Sequence, residues 1–172
     1  LERLIALMSS CKHAVESEIK GDFIECGVYK GGSSLAVKLL FDKLGSDKKI
    51  FLLDTFEGMT KPSVYDIRTK CGTKALDKYD SWMNNDGTNS KCLSPIDDVK
   101  KNFTDAGVNL SNVIFVKGDV MDTLNQKELT SNSYSVVRLD TDFYESTRKE
   151  LEVLYPLLSV GGSLLIDDYG TW

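Results

Sequence analysis

Four aspartates in the last third of the chain are placed to do chemistry. Asp140 and Asp142 follow the apolar run Tyr134–Leu139, and Asp167-Asp168 follows Ser163–Ile166. If those runs are adjacent parallel strands, Asp140, Asp167 and Asp168 converge, and three buried carboxylates require a cation. Oxygen donors alone select Mg²⁺, which keeps waters that a substrate's oxygens can displace. The competing reading is a set of exposed turn aspartates, common when they occur singly. A single histidine, His13, and four cysteines without a C-x-x-C pair argue against a zinc site, so a metal must sit on carboxylates.

A second chemical stretch runs from Asp22 to Ser34. Its apolar start stops at Glu25, after which Gly27, Gly31 and Gly32 let the backbone turn and approach a ligand, and Ser33 or Ser34 can cap the following helix. Strand, glycine turn and helix N-terminus together offer N–H groups and a positive dipole end to an anionic group. The spacing satisfies neither Gly-x-Gly-x-x-Gly nor Gly-x-x-x-x-Gly-Lys-Ser/Thr. With an acid closing the strand before Gly-x-x-x-Gly, it resembles the first motif of S-adenosylmethionine-dependent methyltransferases. The alternative is a strand-to-helix turn that needs glycine only for its dihedrals.

Strands alternating with helices must hold these residues in place. Leu1, Leu4, Ile5, Met8, Cys11, Val15 and Ile19 recur at helical spacing and predict an amphipathic helix ending before Gly21. Ser34 to Leu44 predicts a second helix, and Lys49–Leu53 a buried parallel strand closing in Asp54, either a ligand for ribose hydroxyls or a turn residue. From Thr55 to Cys92 the chain is polar and aperiodic, as expected of a lid springing from the cofactor edge. Ser94-Pro95-Ile96-Asp97 reads as a helix start with Ser94 as cap, and Val113–Val116 as a strand leading to Gly118-Asp119, where Asp119 meets an adenine amino group or simply turns the chain. A helix from Glu145 to Leu158, with Leu151, Leu154 and Leu158 inward, returns to the strand ending at Ile166. The alternation predicts an α/β fold with a doubly wound, mainly parallel sheet and acids along one edge.

Composition narrows the partners. At 172 residues the chain is sized for one domain, and a net charge of -5 argues against nucleic acid or an anionic membrane as partner. With no apolar run of 18 residues and no signal peptide, the four cysteines read as reduced thiols of a cytoplasmic protein. A small molecule is the expected partner.

The stretches Gly21–Ser34, Asp54–Met59, Arg138–Thr147 and Ile166–Gly170 resemble the motifs of the macrocin O-methyltransferase family, which methylates sugar hydroxyls of natural products. The resemblance implies a class I methyltransferase, Rossmann-like fold, S-adenosylmethionine as donor, a small-molecule alcohol as acceptor and Mg²⁺ on Asp140, Asp167 and Asp168. The cofactor-binding set it suggests is Glu25, Gly27, Tyr29, Gly31, Ser33, Ser34, Asp54, Thr55, Phe56, Gly118 and Asp119. Catechol-type methyltransferases look similar in this triad but place a lysine base where this chain has Phe143. Asp140 is therefore the expected general base, with Asp142 as the alternative. The family's chains run on past Asp-Asp-Tyr-Gly into a further strand pair, so residues 1–172 are expected to be one domain of a longer protein without that pair, and a homo-oligomer is an open expectation. Two rival readings are an NAD-dependent oxidoreductase, with Asp54 on the ribose, and a non-catalytic cofactor-binding remnant.

Overall fold

The structure, a computed structural model, describes residues 1–171. The element order is α1 (Glu2–Glu16), β1 (Asp22–Cys26), α2 (Gly32–Lys43), β2 (Ile50–Asp54), α3 (Leu76–Tyr79), α4 (Ile96–Asp105), β3 (Val113–Lys117), α5 (Val120–Thr123), α6 (Lys127–Thr130), β4 (Tyr134–Leu139), α7 (Tyr144–Leu154) and β5 (Leu158–Ile166). All strand pairs are parallel, in the order β3-β2-β1-β4-β5. The order reverses between β1 and β4, which is where a doubly wound sheet opens a crevice at its carboxyl edge. Register places the ends together: Cys26 pairs with Leu53 and Leu139, Asp54 with Lys117, and Leu139 with Ile166.

Strand alternation supplies two cores. Phe23, Ile50, Leu52 and Val136 point to one face and pack with Leu7 and Cys11 of α1, Val37 and Phe41 of α2 and Phe103 of α4. Ile24, Cys26, Phe51, Leu53, Val137 and Leu139 point to the other, against Leu124, Leu129 and Leu154. β5 lies at the sheet edge and is the least buried strand, with Val160 fully exposed. No helix among the described residues is long and apolar enough to cross a membrane.

Several element ends differ from expectation, each for a local reason. α1 stops at Glu16, because Glu18 takes a left-handed φ of 51°. The N-cap of α2 is Gly31, at φ 78°, while Ser33 and Ser34 turn their hydroxyls to Glu25. Pro95, not Ser94, is the N-cap of α4, and no side chain caps that helix. α7 ends at Leu154, a 3₁₀ turn over Tyr155–Leu157 contains Pro156, and Leu158 already belongs to β5. The predicted leucines do face inward, Leu154 fully buried and Leu151 and Leu158 packed against the same core, and Ser146 and Glu150 are buried beside them.

The polar segment after β2 is a braced excursion. Its stem is zipped by Met59 N–H to Lys91 O at 2.9 Å and Asn89 N–H to Glu57 O at 3.3 Å, and a Cβ on Gly58 would sit 2.0 Å from Asn89 O. Its middle is tied by Asp66, which is 1% exposed. That carboxylate accepts from Ser63 N–H at 2.5 Å, Ser63 Oγ at 2.9 Å and, across 78 residues, the Tyr144 N–H at the start of α7 at 2.7 Å.

Candidate active site

The glycine turn and β2 are built as one unit. Gly27 takes φ 85°, and a Cβ there would lie 2.1 Å from the Asp140 carbonyl oxygen, so only glycine lets the ends of β1 and β4 close together. Asp54 reaches over from β2: its Oδ2 accepts from Val28 N–H at 2.7 Å and Tyr29 N–H at 2.9 Å, and its Oδ1 from Phe56 N–H at 2.8 Å. Oδ2 is thereby filled, whereas Oδ1 keeps capacity for a further donor, because Thr55 Oγ1, 3.4 Å away, gives its one proton to the closer Gly58 O at 2.6 Å. Asp119 caps α5 by accepting from Met121 N–H at 2.9 Å.

Beneath the turn lies a buried ion cluster. Glu25, wholly buried, accepts from Ser33 Oγ at 2.6 Å, from Ser34 Oγ and from Arg138 Nη1. The other arm of Arg138 meets Asp140 Oδ2 at 2.8 Å and Asp167 Oδ1 at 3.1 Å, and Arg3 adds a contact to Asp167 Oδ2 at 2.6 Å. One guanidinium thus bridges acids at the ends of three neighbouring strands, β1, β4 and β5.

The carboxylates that come together are those of Asp140, Asp142 and Asp168, with oxygens within 4.8 Å of one another. Asp167, expected in this trio, is instead held by the two arginines, and Asp142 takes its place because a φ of 68° swings the chain back toward the cluster. Burial pushes the Asp140 carboxyl up to about 7, with Arg138 pulling it down and Asp167 and Asp168 adding to the rise. Burial, then a hydrogen bond and charge from Asp168, push Asp142 to about 8. Behind them Glu150, fully buried, accepts from Thr141 Oγ1 at 2.9 Å, leaves its other oxygen without a partner among the described residues, and is pushed to about 8 by burial. The clustered oxygens of Asp140, Asp142 and Asp168 are an all-oxygen donor set of the kind a divalent cation fits.

Three cavities reach this cluster, one of them, about 770 Å³, running along α7 from Asp142 and Asp168 past Tyr144 and Leu151. The first, about 280 Å³, is lined by Gly27, Tyr29, Asp54, Thr55, Gly118 and Asp119 and ends on Asp140, Asp142, Asp167 and Asp168. The second, about 400 Å³, lies under the braced segment and shares Met59, Asp142 and Asp168 with the first. The remaining predicted contacts stand elsewhere. Glu25, Ser33 and Ser34 form the support below the turn, Gly31 packs on Val99 and Phe103, and Phe56 is a core residue stacked near Phe115. Arg138 and Glu150 were missed, although a charge inside the apolar run Val136–Leu139 was a visible anomaly.

Along residues 1–172 the sequence matches the macrocin O-methyltransferase (TylF) family. The chain belongs to that family. It is 32% identical over 170 residues to 8-demethyl-8-(2,3-dimethoxy-alpha-L-rhamnosyl)-tetracenomycin-C 4'-O-methyltransferase of Streptomyces olivaceus, covering 98% of this chain and 60% of that protein. It is 29% identical to demethyldecarbamoylnovobiocin O-methyltransferase of Streptomyces niveus, with 98% and 60% covered. Among solved structures the O-methyltransferase NovP superposes with a TM-score of 0.79 at 25% identity, over 96% of this chain and 64% of that one. The chain therefore spans about 60% of the length of the curated relatives it matches.

Proposed function

We propose that this macrocin O-methyltransferase family chain carries the donor site and catalytic acids of an enzyme that methylates a hydroxyl of a natural-product sugar or related alcohol, with S-adenosylmethionine as donor and Mg²⁺ as helper. The observation that carries the reading is the meeting of the glycine-turn cavity and the cavity under the braced segment at Asp140, Asp142 and Asp168. Curated relatives named as sugar and antibiotic O-methyltransferases support it.

The chain's own residues divide the work. The turn from Gly27 to Tyr29, fixed by Asp54, shapes the donor end, and the free capacity of Asp54 Oδ1 suits a ribose hydroxyl. When bound, the sulfonium supplies an electrophilic methyl and the cation a Lewis acid that lowers the acceptor hydroxyl's pKa. Asp140 and Asp168 are the residues that would carry the cation. Asp142 is the group we assign to take the proton: it borders both cavities, Arg138 turns to Asp140 and Asp167 instead, and its strained φ of 68° fixes its aim. Alignment of an acceptor oxygen with a methyl carbon is what a wall fixed on both sides provides.

Calorimetry with S-adenosylhomocysteine, with and without Mg²⁺, tests the reading, followed by a thermal scan of variants. Asp142→Asn should bind the product and still gain stability from Mg²⁺, whereas Asp140→Ala should lose the Mg²⁺ effect. Absence of S-adenosylhomocysteine binding together with saturable NAD binding would replace this reading with the oxidoreductase one.

A further inference from the structure

The second cavity has a wall the methyl transfer does not require. Arg68, Lys74, Lys78 and Lys91 line it beside Trp82, and Asp142 and Asp168 close its inner end. Four cations around about 400 Å³ stand out in a chain whose net charge is -5. Lys74, Lys78 and Lys91 enter no ion pair among the described residues, although Lys12, Lys38, Lys101 and Lys117 elsewhere each find a carboxylate. The wall is also held in shape. Arg68 N–H donates to Thr73 O at 3.0 Å, Gly72 N–H to Arg68 O at 2.8 Å, and Ile67 bridges Lys74, directly after the Asp66 anchor.

We propose that this wall is an anion subsite, and that the acceptor is a sugar bearing a phosphate or diphosphate group, with its hydroxyl at Asp142 and its phosphate on Arg68, Lys74, Lys78 and Lys91. The assignment of the hydroxyl rests on the methyltransferase reading; the anion subsite rests on the lining alone. A single carboxylate would engage one or two of these cations, whereas phosphate oxygens carry charge and acceptors for several. Lysine serves as a phosphate point charge, arginine as a fork, and a cavity walled by one sign of charge raises the local concentration of the opposite ion. The acids at the inner end repel the phosphate and so keep that end for the hydroxyl. Trp82, set edge-on to Tyr79 at 6.4 Å, offers a ring face for a planar group attached to the phosphate.

Inorganic pyrophosphate, titrated calorimetrically into the protein loaded with S-adenosylhomocysteine, in chelator and at fixed ionic strength, is the test. Saturable binding is expected, weakened at least tenfold, about 1.4 kcal/mol, by the pair Lys74→Glu and Lys78→Glu. The pair Lys12→Glu and Lys101→Glu, with the same charge change at α1 and α4 outside the cavity lining, should leave it within twofold. Binding by uridine diphosphate tighter than by pyrophosphate, and lost in Trp82→Ala, would assign the nucleoside diphosphate as the phosphate's source; equal binding would assign a simple sugar phosphate. As a check independent of variants, pyrophosphate should shield Lys74, Lys78 and Lys91 of the unaltered protein from acetylation. No saturable binding, or equal weakening by both lysine pairs, overturns the subsite. If S-adenosylhomocysteine itself fails to bind, the methyltransferase reading falls, and pyrophosphate titrated alone still decides the subsite.

Discussion

Replacing Arg138 by Met keeps most of the side-chain volume and removes the positive charge that Glu25, Asp140 and Asp167 share, leaving Arg3 on Asp167 alone. Arg138 is 8% exposed and Glu25 is wholly buried, so water cannot take over from the guanidinium. Glu25 would keep only two serine donors, and Asp140 and Asp167 would lose their shared partner at 2.8 Å and 3.1 Å. Breaking a buried ion cluster on one side costs about 3–5 kcal/mol, because the charge left behind has no solvation. For a domain of this size that lowers Tm by on the order of 10 °C. Urea and thermal unfolding of metal-free protein measure it directly. The double variant Arg138→Met with Glu25→Gln removes the stranded charge and should recover at least a third of the loss, a coupling that independent sites do not show. A loss under about 1 kcal/mol in Arg138→Met, or no recovery in the double variant, would refute the assignment of Arg138 as the counter-charge.

Three further outcomes follow from the geometry. Asp54→Ala should weaken S-adenosylhomocysteine binding by about 1–3 kcal/mol, since it removes the acceptor of the Val28 and Tyr29 N–H groups as well as the proposed ribose contact; unchanged affinity in calorimetry would exclude Asp54 from the proposed donor site. Asp66→Ala should speed hydrogen exchange at Ser63–Ala75 and at the first turn of α7 together, and acceleration at only one of the two would show that they are not coupled. Asp140, Asp142 and Glu150 have folded values near 7, 8 and 8 against ordinary values near 4, so the native state holds protons the unfolded chain has released. Stability of the metal-free protein should therefore fall as pH rises from about 4.5 to about 8, by up to about 1.4 kcal/mol per pH unit for each such group, and level off above. Glu150→Gln should make that decline shallower in urea midpoints, and a flat profile for the parent would contradict the buried-acid cluster.

Most of the fold was legible because each strand is a short apolar run closed by an acid or an acid-bearing turn, and parallel pairing brings those closures to one edge whatever the helices do. The same argument placed Gly27, Asp54, Asp119 and Asp140 on one rim, where the structure has them. It could not divide Asp142 from Asp167, since both follow a strand end and only the φ of Asp142 and the reach of Arg3 separate them. The inward leucines of α7 were legible, but the polar Ser146 and Glu150 buried beside Leu154 were not, since an apolar period does not reveal a buried acid. Side-chain caps were over-read at Ser33, Ser34 and Ser94, where glycine and proline geometry starts the helices. Nothing local distinguishes Asp66 from the other acids of its polar segment. Its partner lies 78 residues ahead, a distance that periodicity does not encode.

That separation has a consequence for how the molecule assembles. While the chain is synthesised, Asp66 is made long before the α7 N–H it will hold, so the segment carrying the basic wall has no fixed position until β4 has joined β1 and α7 has started. Non-local contacts of this kind form late, after the entropy of the intervening chain has been given up. The turn, β2 and Asp54 need no such wait, because 26 residues separate Val28 from Asp54. The turn and the aspartate that fixes it are therefore a local unit, whereas the basic wall is positioned by a contact that closes only once most of the chain is in place.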